Sequence, residues 1–199
     1  QYLYRTDELL INLITHKHEI RKMVEKLTEI YMEKLPDVID AVSPYVQIIR
    51  MGDDLGVQSG PMISPELYRE VYFPYHKTMF QTVKEKSDMY IYFHTCGAMS
   101  EFIPDLIEAG VDIINPVRIT ASGMEPEKLK REFGKDIVFW GGGCDTQHVL
   151  PYGSPEDVKR EVRDNSKIFM KDGGFVFNQV HNILADVPPE NIVAMFEEA

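Results

Sequence analysis

Two periodicities of apolar and polar residues divide the chain. From Asp7 to Val42, apolar residues such as Leu9 and Leu13 recur at helical spacing among charged ones, which predicts one or two amphipathic helices. Beyond residue 43, short β-branched and aromatic runs alternate with helical segments. We therefore predict one domain of 199 residues, with a helical lead-in over 1–43 and βα units over 44–199.

Five short runs are predicted to be strands, and each is followed by a helical segment. A βαβα series of this kind gives a parallel sheet, either open and doubly wound or closed into a (β/α)₈ barrel. No Gly-x-Gly-x-x-Gly follows the first run, so the dinucleotide-binding form lacks its fingerprint. The runs are Val46–Met51, Met89–Phe93, Val111–Ile114, Ile137–Trp140 and Gly174–Val180.

Polar residues with catalytic or ligating chemistry follow each predicted strand. In parallel α/β folds the carboxyl ends of the strands line the active site, so these residues are expected to share one pocket. In chain order they are Asp53 and Asp54, His94 and Cys96, Asn115, Cys144 and Asp145, and Gln179 and His181.

His94 and Cys96 are two residues apart, so on an extended segment their side chains face the same way. Imidazole and thiolate together suit zinc, and three protein ligands would leave zinc the open position of a catalytic site. The candidates for a third ligand are Cys144, His181, Asp53 and Asp54. The simpler interpretation is a packed histidine beside a buried thiol.

The two adjacent aspartates allow several interpretations. Asp53 and Asp54 suit an acid/base pair, a cation site or a metal oxygen ligand, or they cap and hydrogen bond within their own loop. The other histidines are expected on the solvated surface: His16, His18, His76 and His148.

Composition excludes some function classes. The net charge of −11, with 32 acidic residues, argues against binding a phosphate backbone, so nucleic acid is not an expected partner. No apolar stretch approaches the roughly 20 residues of a membrane helix, and the chain opens without a signal-like segment. We therefore expect a cytoplasmic protein whose two cysteines are thiols.

Several segments resemble the uroporphyrinogen decarboxylase superfamily, and together they span most of the chain. The resemblance implies a (β/α)₈ TIM barrel, of which this chain covers roughly the C-terminal five βα units. The segments are GDDLGVQSGPMISPELYREVYFPYHK, HTCG, IPDLIEAGVDIINPV, GGGCDTQHVLPYGSPEDV and VHNILADVPPENI.

The resemblance implies two enzyme classes, because the superfamily contains cofactor-free decarboxylases and zinc-dependent methyltransferases. In the methyltransferases the zinc motif is His-x-Cys with a second cysteine far downstream, and His94-Thr95-Cys96 matches its first half. The downstream cysteine falls at His181, where the decarboxylases carry an active-site histidine. The third zinc ligand is accordingly His181 or Cys144.

The implied function is zinc-dependent transfer of a methyl group between a methylcorrinoid protein and a thiol or related small-molecule acceptor. Catalytic roles would fall to Asp53 and His181, with a homodimer as a possible assembly. Substrate contacts would come from Asp54, Asn115, Asp145 and Gln179.

Two alternatives remain from the sequence. The first is a cofactor-free decarboxylase acting on uroporphyrinogen III. The second is a non-catalytic barrel fragment stabilised by oligomerisation, since half a barrel exposes two sheet edges.

Overall fold

The lead-in is helical, as its spacing predicts. A computed structural model describes residues 4–199 and places α1 over Thr6–Thr15 and α2 over Lys17–Val42. Leu9 and Leu13 of α1 are buried together with Ile20 of α2 and Val71 of a later helix. The two helices thus cover one side of the βα units through a single apolar stripe.

Five parallel strands form the main sheet, so the predicted α/β fold with a parallel sheet is confirmed. Their order in the sheet is β1-β4-β5-β6-β7, which follows the chain and makes every connection a crossover. The strands are β1 Ile48–Gly52, β4 Tyr90–His94, β5 Ile113–Asn115, β6 Val138–Trp140 and β7 Phe175–Val176. A two-stranded hairpin that was not predicted, β2 Gly56–Val57 with β3 Gly60–Pro61, follows β1.

The last strand is shorter than the predicted run Gly174–Val180. The backbone beyond Val176 bonds to the loop after β6: Gly143 donates to the carbonyl of Asn178, and Val180 donates to that of Cys144. Residues 177–180 therefore run beside the loop after β6 without forming the regular hydrogen bonds of a β-strand.

Among residues 4–199, six further helices and a 3-10 turn lie between the strands, and a seventh helix follows the last strand. Ser64 and Ser154, each followed by Pro and Glu in the sequence, cap helices by accepting hydrogen bonds from the backbones of Leu67 and Asp157. The helices are α3 Pro65–Val71, α4 Phe73–Lys86, α5 Ile103–Ala109, α6 Pro126–Phe133, α7 Val149–Tyr152, α8 Pro155–Phe169 and α9 Pro189–Glu198, and the 3-10 turn is Ser100–Phe102.

The two faces of β4 differ, and the difference positions the site. Ile91 and Phe93 are buried in the main core between sheet and helices, whereas the alternating residues Tyr92 and His94 are half-buried. Side chains alternate along a strand, so His94 lies on the face opposite the helices. Among residues 4–199, no helix is long and apolar enough to cross a membrane.

Candidate functional site

The carboxyl ends of β1, β4 and β5 lie side by side, because the sheet register pairs Gly52 with His94 and His94 with Asn115. Hydrogen bonds continue beyond the strands. The backbone of Asp53 donates to the carbonyl of His94 at 3.0 Å, and that of Thr95 donates to the carbonyl of Asn115 at 2.8 Å. Residues predicted at three separate strand ends are therefore neighbours at one edge of the sheet.

The ring of His94 is held by a chain of two hydrogen bonds. Asn115 donates from Nδ2 to the carbonyl of Trp140 at 2.8 Å, which turns its Oδ1 toward His94. His94 Nδ1 lies 2.8 Å from this oxygen, which can only accept. The ring proton is thereby placed on Nδ1, and the lone pair of Nε2 is left free to act as a ligand.

Cys96 lies within sulfur hydrogen-bonding distance of that nitrogen. Its Sγ is 3.7 Å from His94 Nε2, and its backbone N–H donates to Asp54 Oδ1 at 3.0 Å. Asp54, His94 and Cys96 offer ligand atoms that all lie within 4.8 Å of one another. Burial and then the charge of Asp54 raise the pKa of the Cys96 thiol to about 11, so without a metal Cys96 is a thiol.

Two glycines hold the loops that carry these ligands in close contact. Gly97 has a φ of +79°, and a Cβ placed on it would lie 2.4 Å from the carbonyl carbon of Gly56. Two hydrogen bonds join the same loops, from the backbone of Leu55 to Thr95 Oγ1 at 3.0 Å and from that of Ala98 to the carbonyl of Val57 at 2.8 Å. The loop after β1 therefore fixes Asp54 against Cys96.

His181 and Arg118 lie next to this group. Burial, followed by the Arg118 guanidinium and the nearby His94 imidazole, lowers the pKa of His181, while the charge of Asp54 acts in the opposite sense. Arg118 donates from Nη1 to Gln58 at 3.3 Å, and its Nε is buried without a hydrogen-bond partner. An imidazole and a guanidinium thus adjoin the group formed by Asp54, His94 and Cys96.

The structure does not bring Cys144 to this group. Cys144 is fully buried in a second apolar cluster with Leu150 and Val158, on the helix side of the sheet. Burial and the neighbouring Glu161 raise the pKa of its thiol. The only other cysteine thus lies among aliphatic side chains, away from the proposed ligands.

Asp145 and Gln179 are also placed outside the His94–Cys96 group. Asp145 is buried, and its carboxylate accepts hydrogen bonds from the backbones of Gln147 and His148 and from His148 Nδ1 at 2.8 Å. These bonds are the capping role that an aspartate takes in a turn. Gln179 is half-buried on the loop two residues before His181.

Asp53 points away from Cys96 toward a histidine whose predicted location was wrong. His76 was expected on the surface but is 7% exposed, because it shares the buried face of α4 with Phe80 and Val83. Its Nε2 lies 3.8 Å from Asp53 Oδ2, and its Nδ1 shares a hydrogen bond of 3.1 Å with the Tyr68 hydroxyl. The i, i+4, i+7 spacing of the three α4 residues was the signal in the sequence.

The pKa values of His76 and Asp53 are shifted in opposite directions from their ordinary values. Burial lowers the pKa of His76 to about 4, so its imidazole is neutral at pH 7. Asp53 keeps 45% of its side chain exposed but stands in a concave wall, and this partial burial, with the charge of Asp54, raises its pKa to about 6.

Comparison with known proteins identifies the family. The family model for uroporphyrinogen decarboxylase (URO-D) matches residues 1–199. Uroporphyrinogen decarboxylase of Chlorobium limicola is 30% identical over 141 residues, which are 68% of this chain and 37% of that protein. The enzyme of the same name from Chlorobaculum tepidum is 26% identical over 185 residues, 89% of this chain and 50% of that protein.

A solved structure has the same fold. A methyltransferase from Methanosarcina mazei superposes with a TM-score of 0.68 at 18% identity, covering 95% of this chain and 51% of that one. This chain thus spans about half the length of the proteins that it matches. With a family match over its whole length, the chain belongs to the uroporphyrinogen decarboxylase family.

Proposed function

We propose that this protein is a zinc-dependent methyltransferase that moves a methyl group between a methylcorrinoid protein and a thiol or related acceptor. The observation that carries the proposal is the pair His94 Nε2 and Cys96 Sγ, 3.7 Å apart, with His94 oriented by Asn115. A hydrogen bond from the second ring nitrogen to an amide or carboxylate is typical of histidines that bind metals.

The donor atoms fit zinc. Nitrogen and sulfur ligands at about 2.0 and 2.3 Å from one tetrahedral zinc ion stand about 3.5 Å apart, close to the separation of 3.7 Å found here. Asp54 is the third ligand in this proposal, since its carboxylate lies within 4.8 Å of both other donors. His181, whose pKa is lowered by burial and by Arg118 and which lies near His94 and Asp54, is the alternative third ligand.

The residues around the ligands would then position the ligands, supply charge and contact the substrate. Bound zinc supplies Lewis acidity, which lowers the pKa of a thiol and favours its thiolate. Asn115 holds the His94 ring, Asp54 fixes the backbone of Cys96, and Arg118 offers positive charge beside His181. Asp53, facing the other way, would contact the substrate.

The comparisons with known proteins support the choice of methyl transfer as the proposed reaction. The structural neighbour is named a methyltransferase, and His94-Thr95-Cys96 matches the zinc motif of that branch. We further propose a corrinoid protein as partner and the cytoplasm as location. The homodimer stays a prediction.

Zinc content tests the proposal, and the two cysteines provide a matched pair of variants. We expect about one zinc per chain by elemental analysis of the purified protein, lost in Cys96→Ser and retained in Cys144→Ser, because Cys144 lies in a separate apolar cluster. A metal-free wild-type protein, or equal zinc in the two variants, would contradict the proposal.

A second candidate is a decarboxylase of uroporphyrinogen. The observation that favours it is the name of the curated relatives, at 26–30% identity. On this alternative, His181 and Arg118 would face a carboxylated substrate. Incubation of the metal-free protein with uroporphyrinogen III separates the two, since only a decarboxylase releases products with fewer carboxyl groups.

A further inference from the structure

A cavity of about 200 Å³ lies between the lead-in helices, α3–α4 and the loop after β1. Its walls are mostly apolar, with Leu13 and Leu27 on the lead-in helices and Met79 on α4. Asp54 lines this cavity and also belongs to the group with His94 and Cys96. The cavity therefore adjoins the proposed metal site through Asp54, while His94 and Cys96 are not part of its lining.

Charge in this cavity has one sign. Asp53 and Asp54 both line it, and no Lys or Arg is found among the described residues that form its walls. Among residues 4–199, the basic side chain found within 4 Å of the Asp53 carboxylate is His76 at 3.8 Å, and burial keeps that imidazole neutral at pH 7. If Asp54 binds a metal, Asp53 is left as the carboxylate facing the cavity.

Aromatic rings in the cavity wall also favour a positively charged ligand. Tyr72 and Tyr75 line the cavity together with Asp53, and burial followed by the charge of Asp53 raises the pKa of Tyr72. The face of a tyrosine ring attracts a cation. Arg118, the positive group of the site, does not line the cavity.

We propose that this cavity binds the apolar body of the substrate and selects an organic cation, such as an amine, over a carboxylate or sulfonate. Its identification as a substrate site rests on the proposed methyl transfer. The size is adequate, since an apolar cavity of about 150 Å³ binds benzene. Asp53 sets the charge preference, and the helices α1 and α2 supply much of the apolar wall.

Three ligands of matched shape test this preference by calorimetric titration: 2-phenylethylamine, 2-phenylethanol and 3-phenylpropanoate. We expect the amine to bind at least tenfold tighter than the carboxylate, with the alcohol in between. Asp53→Asn weakens the amine about tenfold and leaves the alcohol unchanged. Leu27→Trp fills the cavity and abolishes binding of all three.

Asp37→Asn is the matched control, because it removes the same charge from an exposed position on α2 outside the cavity. It retains wild-type affinities. The proposal is overturned if the carboxylate binds as tightly as the amine, if none of the three binds, or if Asp53→Asn leaves the amine unaffected. Melting temperatures of all variants identify any that fail to fold.

The same preparations are analysed for zinc, which keeps the two proposals apart. A protein without zinc that prefers the amine contradicts the proposed methyl transfer and supports the charge preference of the cavity. A zinc protein that prefers the carboxylate supports the metal site and contradicts the cavity proposal.

Discussion

The orientation of one imidazole ring carries much of the chemistry proposed for this site. His94 donates to Asn115, and Asn115 in turn donates to the carbonyl of Trp140, so three strands contribute to fixing a single tautomer. The sequence predicted Asn115 as a substrate contact. In the structure its amide is engaged by two protein groups, and we propose that it positions the ligand.

Replacing Asn115 by alanine removes the partner of His94 Nδ1. We expect zinc affinity to fall about 10- to 100-fold, because the ring loses its fixed tautomer and orientation. Competition against a chromophoric zinc chelator measures the change.

Asn165→Ala is the control for this substitution. Asn165 is also buried and also donates to a backbone carbonyl, that of Gly143 at 3.4 Å, but it belongs to α8. Its loss leaves zinc affinity unchanged. Equal affinities in wild type and Asn115→Ala would exclude the positioning role.

At the scale of elements, the site depends on two loops that touch through their backbones. The loops after β1 and β4 meet where Gly56 and Gly97 leave no room for a side chain. Such closeness cannot be recognised from either sequence segment alone, because a Cβ on Gly97 would meet the backbone of Gly56 and a Cβ on Gly56 would meet the backbone of Ala98, in the opposite loop. The strand-end position of Asp54 and Cys96 was predictable, whereas their mutual contact was not.

Gly97→Ala introduces a Cβ that meets the backbone of Gly56 and also imposes a φ of +79° on an L-residue. We expect the free energy of unfolding to fall by about 3 kcal/mol, with weaker zinc binding. Urea unfolding followed by circular dichroism gives the first quantity.

Gly173→Ala distinguishes the cost of the steric contact from the cost of the positive φ. Gly173 has a φ of +81° and no atom within 4 Å of an added Cβ, so alanine there meets only the backbone cost, about 1 kcal/mol. A similar loss in both variants would show that the contact between the loops contributes little.

For the whole molecule, the buried His76 links stability to pH. The folded state lowers its pKa from 6.5 to about 4, so between these values the unfolded chain binds more protons. The free energy of unfolding therefore decreases as pH falls through this window, by up to about 3 kcal/mol. Asp53, whose pKa is raised to about 6, contributes in the opposite sense.

Urea unfolding at pH 7 and pH 4.5 tests this expectation in the wild type and in His76→Gln. The variant, which cannot bind the proton, loses less stability on acidification. His18→Gln, an exposed histidine of α2, follows the wild type. If His76→Gln and wild type lose equal stability, His76 does not determine the acid response.

The sequence by itself determined the order of elements, the parallel sheet and the strand ends at which the polar residues stand. These features are local, because spacing of apolar residues and Ser-Pro-Glu caps specify where helices and strands begin. It also predicted the pair His94 and Cys96 from their spacing of two residues, although β4 ends at His94 and Cys96 lies in the loop that follows.

The tertiary structure decided which distant residues lie next to His94 and Cys96. Asp54 meets Cys96 across 42 positions, whereas Cys144 turns into a cluster of aliphatic side chains on the other face of the sheet. The burial of His76 and the cavity above Asp53 likewise arise where helices pack on the sheet. Such contacts depend on crossover geometry and on which face a loop presents, and no spacing within one segment encodes either.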